Sequence, residues 1–188
     1  MVALVDAVES GNIRDSRVSV VISDKPDAAG LEKARERGVE TVVIKRNGRK
    51  RAEHDAKTIA VLKDRGVELV CLAGYTRLLS PSFIQAFPNQ IINIHPSLLP
   101  SFPGLDAQRQ AFDHGVKITG CTVHYVDELL DHGKIIMQKS VEILDDDTSE
   151  SLSARILVLE HQLYVDAVKQ MVEDKVSIQK KISIRPDF

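Results

Sequence analysis

Residues 67–96 read VELVCLAGYTRLLSPSFIQAFPNQIINIHP, and their order of apolar runs and turn residues predicts the fold class. Residues 67–74 are almost all apolar, as expected for a strand that is covered on both faces. Ser80 and Pro81 then begin a short helix, and residues 90–96 form a second strand that ends at Pro96. A strand, a helix and a strand in this order predict a parallel sheet.

The same alternation continues toward the N-terminus, where turn residues separate apolar runs of strand length from runs with helical periodicity. The predicted elements are a helix at 1–11, a strand at 17–24, a helix at 27–38, a strand at 39–45 and a helix at 52–66.

The C-terminal part has a different pattern. Residues 120–126 and 134–143 predict two strands on either side of an acidic turn, which can pair as a hairpin. Asp147 and Glu150 form a capping-box signal for a long helix at about 148–173, and residues 176–184 predict two small edge strands. The whole chain therefore predicts an α/β fold with a mostly parallel sheet, helices on both faces and a C-terminal antiparallel part.

Composition narrows the functional class. The 188 residues are 43% hydrophobic, enough for one substantial core in a single domain. The 25 basic and 27 acidic residues nearly cancel, so nothing electrostatic favours a nucleic acid or a membrane as partner. Cys71 and Cys121 form no CxxC pair and fit buried thiols in a reducing compartment. With no signal-peptide pattern and no membrane-length apolar run, we expect a soluble, cytoplasmic protein.

Asn93 and His95 are the first candidates for chemistry. They lie two residues apart on a strand, so both side chains point to one face at its C-terminal end, where open α/β sheets bind ligands. An amide and an imidazole can both donate hydrogen bonds to a carbonyl oxygen as it becomes tetrahedral. The alternative is that they are only polar groups at a strand end.

Four further residues have a functional and a purely structural interpretation. Asp131, in the acidic turn, can approach His95 and move a proton through water, or it can be a solvated loop residue. Thr122 and His124 share one face of a strand, where His124 can line a site or be a hydrogen-bonded core histidine. Glu160 borders the apolar stripe of the last helix, where a charge needs a partner.

Several common active-site motifs are missing from the sequence. It contains no GxGxxG, P-loop, HExxH or GxSxG motif, which argues against dinucleotide oxidoreductases, phosphate-loop NTPases, zincins and serine hydrolases. No metal-ligand cluster is present in the pattern either, so we expect no metal.

The stretch INIHPSLLPSFPG, together with CLAGYTRLLSP before it and GCTVHYVDELLDHGKIIMQ after it, resembles the signature of the folate-dependent formyltransferases. The resemblance covers essentially the whole chain and is closest to the glycinamide ribonucleotide formyltransferases. It implies the Rossmann-like formyltransferase fold and the transfer of a formyl group from 10-formyltetrahydrofolate to the amine of glycinamide ribonucleotide in purine synthesis. Both substrates are small molecules, and the protein would act without metal, as a monomer or homodimer.

The resemblance also implies roles for individual residues. Asn93, His95 and Asp131 match the catalytic trio, and Asn93 also reaches the folate. Glu160 matches the glutamate that holds ribose hydroxyls, and Thr122 and His124 are placed on the substrate side. The residues that the resemblance implies on the folate side, in contact with the co-substrate, are Arg51, Thr76, Arg77, Leu78 and Leu79.

The N-terminus departs from the family pattern. Members begin with a strand and a glycine, serine and asparagine loop that holds the substrate phosphate, whereas Met1 here stands just inside the first helix. The resemblance therefore implies that residues 1–188 are a single formyltransferase domain that is N-terminally incomplete. In that case the strands at 17–24 and 67–73 would have unpaired inner edges, at a large cost in stability.

Other readings stay open. A formyltetrahydrofolate deformylase uses a similar trio with water as acceptor, although Pro96 stands where that family has a second histidine. Methionyl-tRNA formyltransferase would need a further C-terminal domain and a basic surface. The alternative that is not an enzyme is a catalytically silent family member or fragment that retains folate binding.

Overall fold

Helices and strands alternate through the first part of the chain, in the order that the sequence predicts. The computed structural model of the protein describes residues 1–182. Up to the fourth helix the elements are α1 (Val2–Glu9), β1 (Val21–Ser23), α2 (Ala29–Arg35), β2 (Thr41–Val43), α3 (Arg51–Asp64), β3 (Val70–Leu72) and α4 (Pro81–Ala86). After it come β4 (Ile91–His95), α5 (Ala107–His114), β5 (Ile118–Tyr125), β6 (Ile135–Glu142) and α6 (Ser149–Ile182).

The strands form two separate sheets. β1 pairs in parallel with β2, and β3 pairs in parallel with β4. β5 then runs antiparallel to β4, and β6 antiparallel to β5, so that the last two strands make the predicted hairpin. The α/β class, the parallel part and the C-terminal antiparallel part are therefore confirmed.

A cleft separates the two sheets. β1 pairs only with β2, and β3 pairs only with β4, within the part of the chain that the structure describes. Val21 and Ile22 of one sheet and Val70 and Leu72 of the other line a common cavity of about 1660 Å³. The expectation of unpaired inner edges at these strands is confirmed.

The first three strands are shorter than their apolar patterns suggest. The predicted strands at 17–24, 39–45 and 67–74 are reduced to three residues each, Val21–Ser23, Thr41–Val43 and Val70–Leu72. A residue belongs to a strand where its backbone takes part in a hydrogen-bonded ladder. β1 and β3, the two strands that border the cleft, have a ladder on one edge only. An apolar run therefore overstates how much chain is paired.

Helices cover both faces of the four-stranded sheet. Neighbouring residues of β4 point to opposite sides: Ile91 packs with Phe83 of α4, and Ile92 packs with Leu152 and Ile156 of α6. The predicted apolar stripe of the last helix is thus buried against β4 and β5. This packing fixes the C-terminal end of β4, where Asn93 and His95 lie.

Two predictions about the last helix were wrong in detail. α6 continues to Ile182, so the edge strands predicted at 176–184 are absent up to that residue, and the remainder lies outside the described residues. A helix adds one hydrogen bond for each residue without needing a neighbouring strand, which an edge strand requires. The capping pair is Thr148 with Ser151, whose hydroxyls accept each other's backbone N–H at 3.2 and 2.9 Å, not Asp147 with Glu150.

Candidate active site

Strand pairing brings two of the predicted site residues together directly. In the register of β4 with β5, Asn93 stands opposite His124 and His95 stands opposite Thr122. Asn93 Nδ2 lies 3.3 Å from His124 Nε2. Residues two apart on each strand share one face, so all four side chains belong to the same side of the sheet.

His124 orients the amide of Asn93. Its Nδ1 lies 2.9 Å from the Tyr125 carbonyl oxygen, to which it must donate, so Nε2 is left as an acceptor for the Asn93 amide. Burial lowers the pKa of His124, more than its contacts with Tyr125 and Asp131 raise it, which favours this neutral form. One N–H of Asn93 is then used by His124, and no partner of the other is found among residues 1–182, so it can donate to a ligand.

His95 lies between two acceptors at the end of β4. Its side chain is only 5% exposed, Nε2 lies 2.9 Å from the Phe102 carbonyl oxygen, and Nδ1 lies 3.4 Å from Asp131 Oδ2. A carbonyl oxygen can only accept, so Nε2 donates to Phe102, while Nδ1 faces the Asp131 carboxylate.

Asp131 is held by the loop that follows β4. It adopts a left-handed backbone conformation with φ of 47°, which is uncommon for a residue other than glycine. Its Oδ2 accepts the Gly104 backbone N–H at 2.8 Å, and its Oδ1 lies 3.9 Å from His124 Nε2. The structure therefore brings the predicted trio of Asn93, His95 and Asp131 together, with His124 between its members.

Thr122 has a structural position. It is fully buried, and its hydroxyl donates to the Ser97 carbonyl at 2.7 Å and accepts from Leu99 N–H and Gln138 Nε2 at 3.1 and 2.9 Å. Gln138 Nε2 also donates to the Leu99 carbonyl at 2.9 Å. Thr122 thus fastens the loop after β4 to the sheet beneath it.

Four of the predicted folate-side residues, at 76–79, lie in the loop between β3 and α4. Leu79 is buried, whereas Leu78 is 41% exposed. Arg77 Nη2 lies 3.3 Å from Asp24 Oδ2, and Arg46 Nε lies 2.9 Å from the same carboxylate oxygen. This shared carboxylate joins the loop to the basic segment that follows β2.

Arg51 and Glu160 stand apart from the trio. Arg51 is the exposed first residue of α3, and no hydrogen bond or ion pair of its side chain, or of Glu160, is found among the described residues. Glu160 is partly buried on α6, and this burial raises the pKa of its carboxyl to about 7. The structure links neither residue to the trio by a direct contact.

Sequence reasoning missed several groups that shape the site. The carbonyl of Phe102 and the N–H of Gly104 are backbone groups, so their residue types carried no chemical signal; only the turn-forming Pro103 and Gly104 marked a sharp bend. Ser97 is fully buried and donates its hydroxyl to the Ser101 carbonyl at 2.5 Å.

The described residues contain neither a metal-ion cluster nor a membrane-spanning helix. No cluster of three or more His, Cys, Asp or Glu side chains in residues 1–182 is arranged to hold a metal ion. Nor does any helix in this part of the chain combine the length and the apolar character needed to cross a bilayer.

Comparison with known proteins identifies the family. The sequence profile described as formyl transferase matches residues 1–168. The phosphoribosylglycinamide formyltransferase of Bacillus subtilis (strain 168) is 43% identical over 159 residues, which are 84% of this chain and 82% of that protein. The human trifunctional purine biosynthetic protein adenosine-3 is 41% identical over 177 residues, 94% of this chain, but the chain spans only 17% of its length.

Solved structures agree with the sequence comparison. The crystal structure of glycinamide ribonucleotide transformylase 1 from Symbiobacterium toebii superposes with a TM-score of 0.89 at 49% identity. The match covers 92% of this chain and 82% of that one. The fold and the sequence point the same way: the chain belongs to the formyl transferase family.

Proposed function

We propose that the chain transfers the formyl group of 10-formyltetrahydrofolate to the amine of glycinamide ribonucleotide, a step of purine biosynthesis. The observation that carries this proposal is the grouping of Asn93, His95 and Asp131 at the end of β4, in a chain 43% identical to a phosphoribosylglycinamide formyltransferase. An amide donor, an imidazole and a carboxylate are the groups that an acyl transfer to an amine needs.

The reaction begins with attack of the ribonucleotide amine on the formyl carbon. A carbon–nitrogen bond forms, and the formyl oxygen becomes an oxyanion. The free N–H of Asn93 donates to this oxygen, while His124 keeps the amide in the orientation that makes the donation possible. Such a preorganised donor is most effective where charge develops during the reaction.

His95 supplies positive charge next to the oxyanion, and Asp131 stabilises this positive charge from the other side of the imidazole ring. For His95 to donate to the oxyanion through Nε2, the formyl oxygen must replace the Phe102 carbonyl oxygen as the acceptor. The intermediate then breaks its bond to N10 of the folate, and the proton lost by the attacking amine reaches N10 through Asp131 and water. No metal is required in this scheme.

The remaining predicted residues are assigned to the two substrates. Arg51, Arg77 and the backbone of residues 76–79 would bind the folate, and Glu160 would bind the ribose hydroxyls. Because Thr122 and His124 are 0% and 2% exposed, we assign them supporting roles, Thr122 through the loop after β4 and His124 through Asn93. Both substrates are small molecules, and the protein would act in the cytoplasm as a monomer or homodimer.

The experiment supplies 10-formyltetrahydrofolate with and without glycinamide ribonucleotide and follows folate product release by absorbance. Release that requires the ribonucleotide is the expected result. Release without it would identify a deformylase instead, with water as acceptor. Absence of release in both reactions, with folate binding retained, would show a silent member of the family.

A further inference from the structure

The first turn of α3 contains a buried carboxylate that the reaction scheme does not use. Asp55 is 1% exposed, and its neighbour His54 is 6% exposed, although Arg51 and Glu53 in the same turn are exposed. Aspartate is rarely buried to this extent, because removing its charge from water is costly unless hydrogen bonds compensate. The contacts of Asp55 should therefore show what its burial achieves.

Asp55 holds the end of the loop between β3 and α4. Its Oδ2 accepts the backbone N–H of Ser80 at 2.7 Å, a short hydrogen bond to a charged acceptor. Ser80 directly follows residues 76–79 and precedes Pro81, the first residue of α4. The carboxylate thus fixes the backbone at the point where the predicted folate loop ends.

His54 makes the equivalent contact to a second loop. Its Nε2 donates to the Ile44 carbonyl at 2.8 Å, and Ile44 directly precedes the basic segment 45–51. Its Nδ1 lies 3.6 Å from Asp55 Oδ1. One turn of α3 therefore fastens two loops at the C-terminal ends of the parallel strands, and presents Arg51 to solvent beside them.

A second polar contact of the loop is more open to solvent. Arg77 pairs with Asp24 at 3.3 Å, and both side chains retain more than a fifth of their exposure, 22% and 24%. Ion pairs open to solvent contribute about 0–1 kcal/mol. The Asp55 to Ser80 hydrogen bond is the buried polar anchor of this loop.

We propose that Asp55 is a positioning residue for the folate, acting through the backbone of residues 76–79. This inference rests on the proposed function, in which that backbone binds the folate, whose pterin is a planar ring. Backbone groups that recognise a planar ring must be placed within a fraction of an ångström, and the loop contains Gly74, whose φ of 64° shows a tight turn free of a side chain. Asp55 restrains the opposite end of the loop, at Ser80.

The test compares Asp55→Ala, which removes the acceptor, with Asp55→Asn, whose amide oxygen can still accept the Ser80 N–H. Glu53→Ala removes an exposed acid from the same turn and is the matched control. Binding of tetrahydrofolate is measured by titration calorimetry, and KM and kcat are measured for both substrates. For Asp55→Ala we expect the tetrahydrofolate Kd and the folate KM to rise about tenfold, as loss of one hydrogen bond to a charged group implies.

In Asp55→Ala, kcat and the KM for the ribonucleotide should change little. Asp55→Asn should recover most of the affinity for tetrahydrofolate, and Glu53→Ala should match the unmodified protein. If Asp55→Ala does not fold, Asp55→Glu takes its place: it keeps the charge but displaces the carboxylate by one methylene, and should raise the same two constants. Unchanged folate affinity in the variant that folds, or a loss of kcat alone, would overturn the positioning role. If the unmodified protein binds no tetrahydrofolate, the proposed function itself fails.

Discussion

At the scale of single residues, Asn93 and His95 have the clearest expected effect. Replacing either by alanine should lower kcat by about 10²–10³-fold, because each removes a donor to the developing oxyanion. The melting temperature should change little, since both side chains lie at a strand end and not within the apolar clusters. Steady-state kinetics with thermal unfolding tests this, and Gln170→Ala on the exposed face of α6 is the control. Full activity in either variant would remove that residue from the mechanism.

Glu160 gives a prediction about pH. Burial raises its pKa from 4.5 to about 7, so between these values the folded protein keeps a proton that the unfolded chain has lost. Stability should therefore fall as the pH rises through this window. Glu160→Gln should remove this fall and stabilise the protein at pH 7 by roughly 1–3 kcal/mol.

The measurement is urea unfolding at several pH values between 4.5 and 7.5, with Glu142→Gln on the exposed side of β6 as control. Parallel pH curves for Glu160→Gln and the unmodified protein would show that Glu160 is well solvated in solution.

At the scale of elements, the start of α6 depends on the Thr148 and Ser151 pair. Thr148→Ala removes the hydroxyl that accepts the Ser151 N–H at 3.2 Å, so we expect a loss of about 1 kcal/mol in the free energy of unfolding. Ser153→Ala changes a serine inside the same helix and should cost less. Equal effects of the two changes in urea unfolding would argue that the cap contributes nothing.

Local patterns explain why the elements could be predicted and much of the site could not. The period of two on β4 placed Asn93 and His95 on one face from the sequence alone, because that relation needs only one strand. The contact of Asn93 with His124 depends on the register between β4 and β5, which no local pattern specifies. The bond from His95 to the Phe102 carbonyl depends on how a loop folds back.

The same limit applied to residues with two possible roles. Thr122 shares the face of His124, which made a substrate contact reasonable, but its hydroxyl is saturated by Ser97, Leu99 and Gln138. Distinguishing a ligand contact from an internal hydrogen bond requires the positions of all partners. Asp55 was indistinguishable from a surface acid of a helix for the same reason.

At the scale of the whole molecule, the cleft between the sheets should be visible in hydrogen exchange. Val21 and Val70 donate their N–H groups to Glu40 and Gln90 at 2.9 and 2.8 Å, so the N–H groups of the next residues along, Ile22 and Cys71, point to the cleft edges.

We expect the amides of Ile22 and Cys71 to exchange much faster than those of Val21 and Val70, because an unpaired strand edge gives no protection without a partner. Exchange followed by NMR resolves the neighbouring amides within each strand, so each pair acts as its own control. Equal protection within both pairs would mean that the two sheets close on each other in solution. Protection of Cys71 alone would place the closure at the edge of β3, next to the candidate site, and leave β1 and β2 as a separately opening unit.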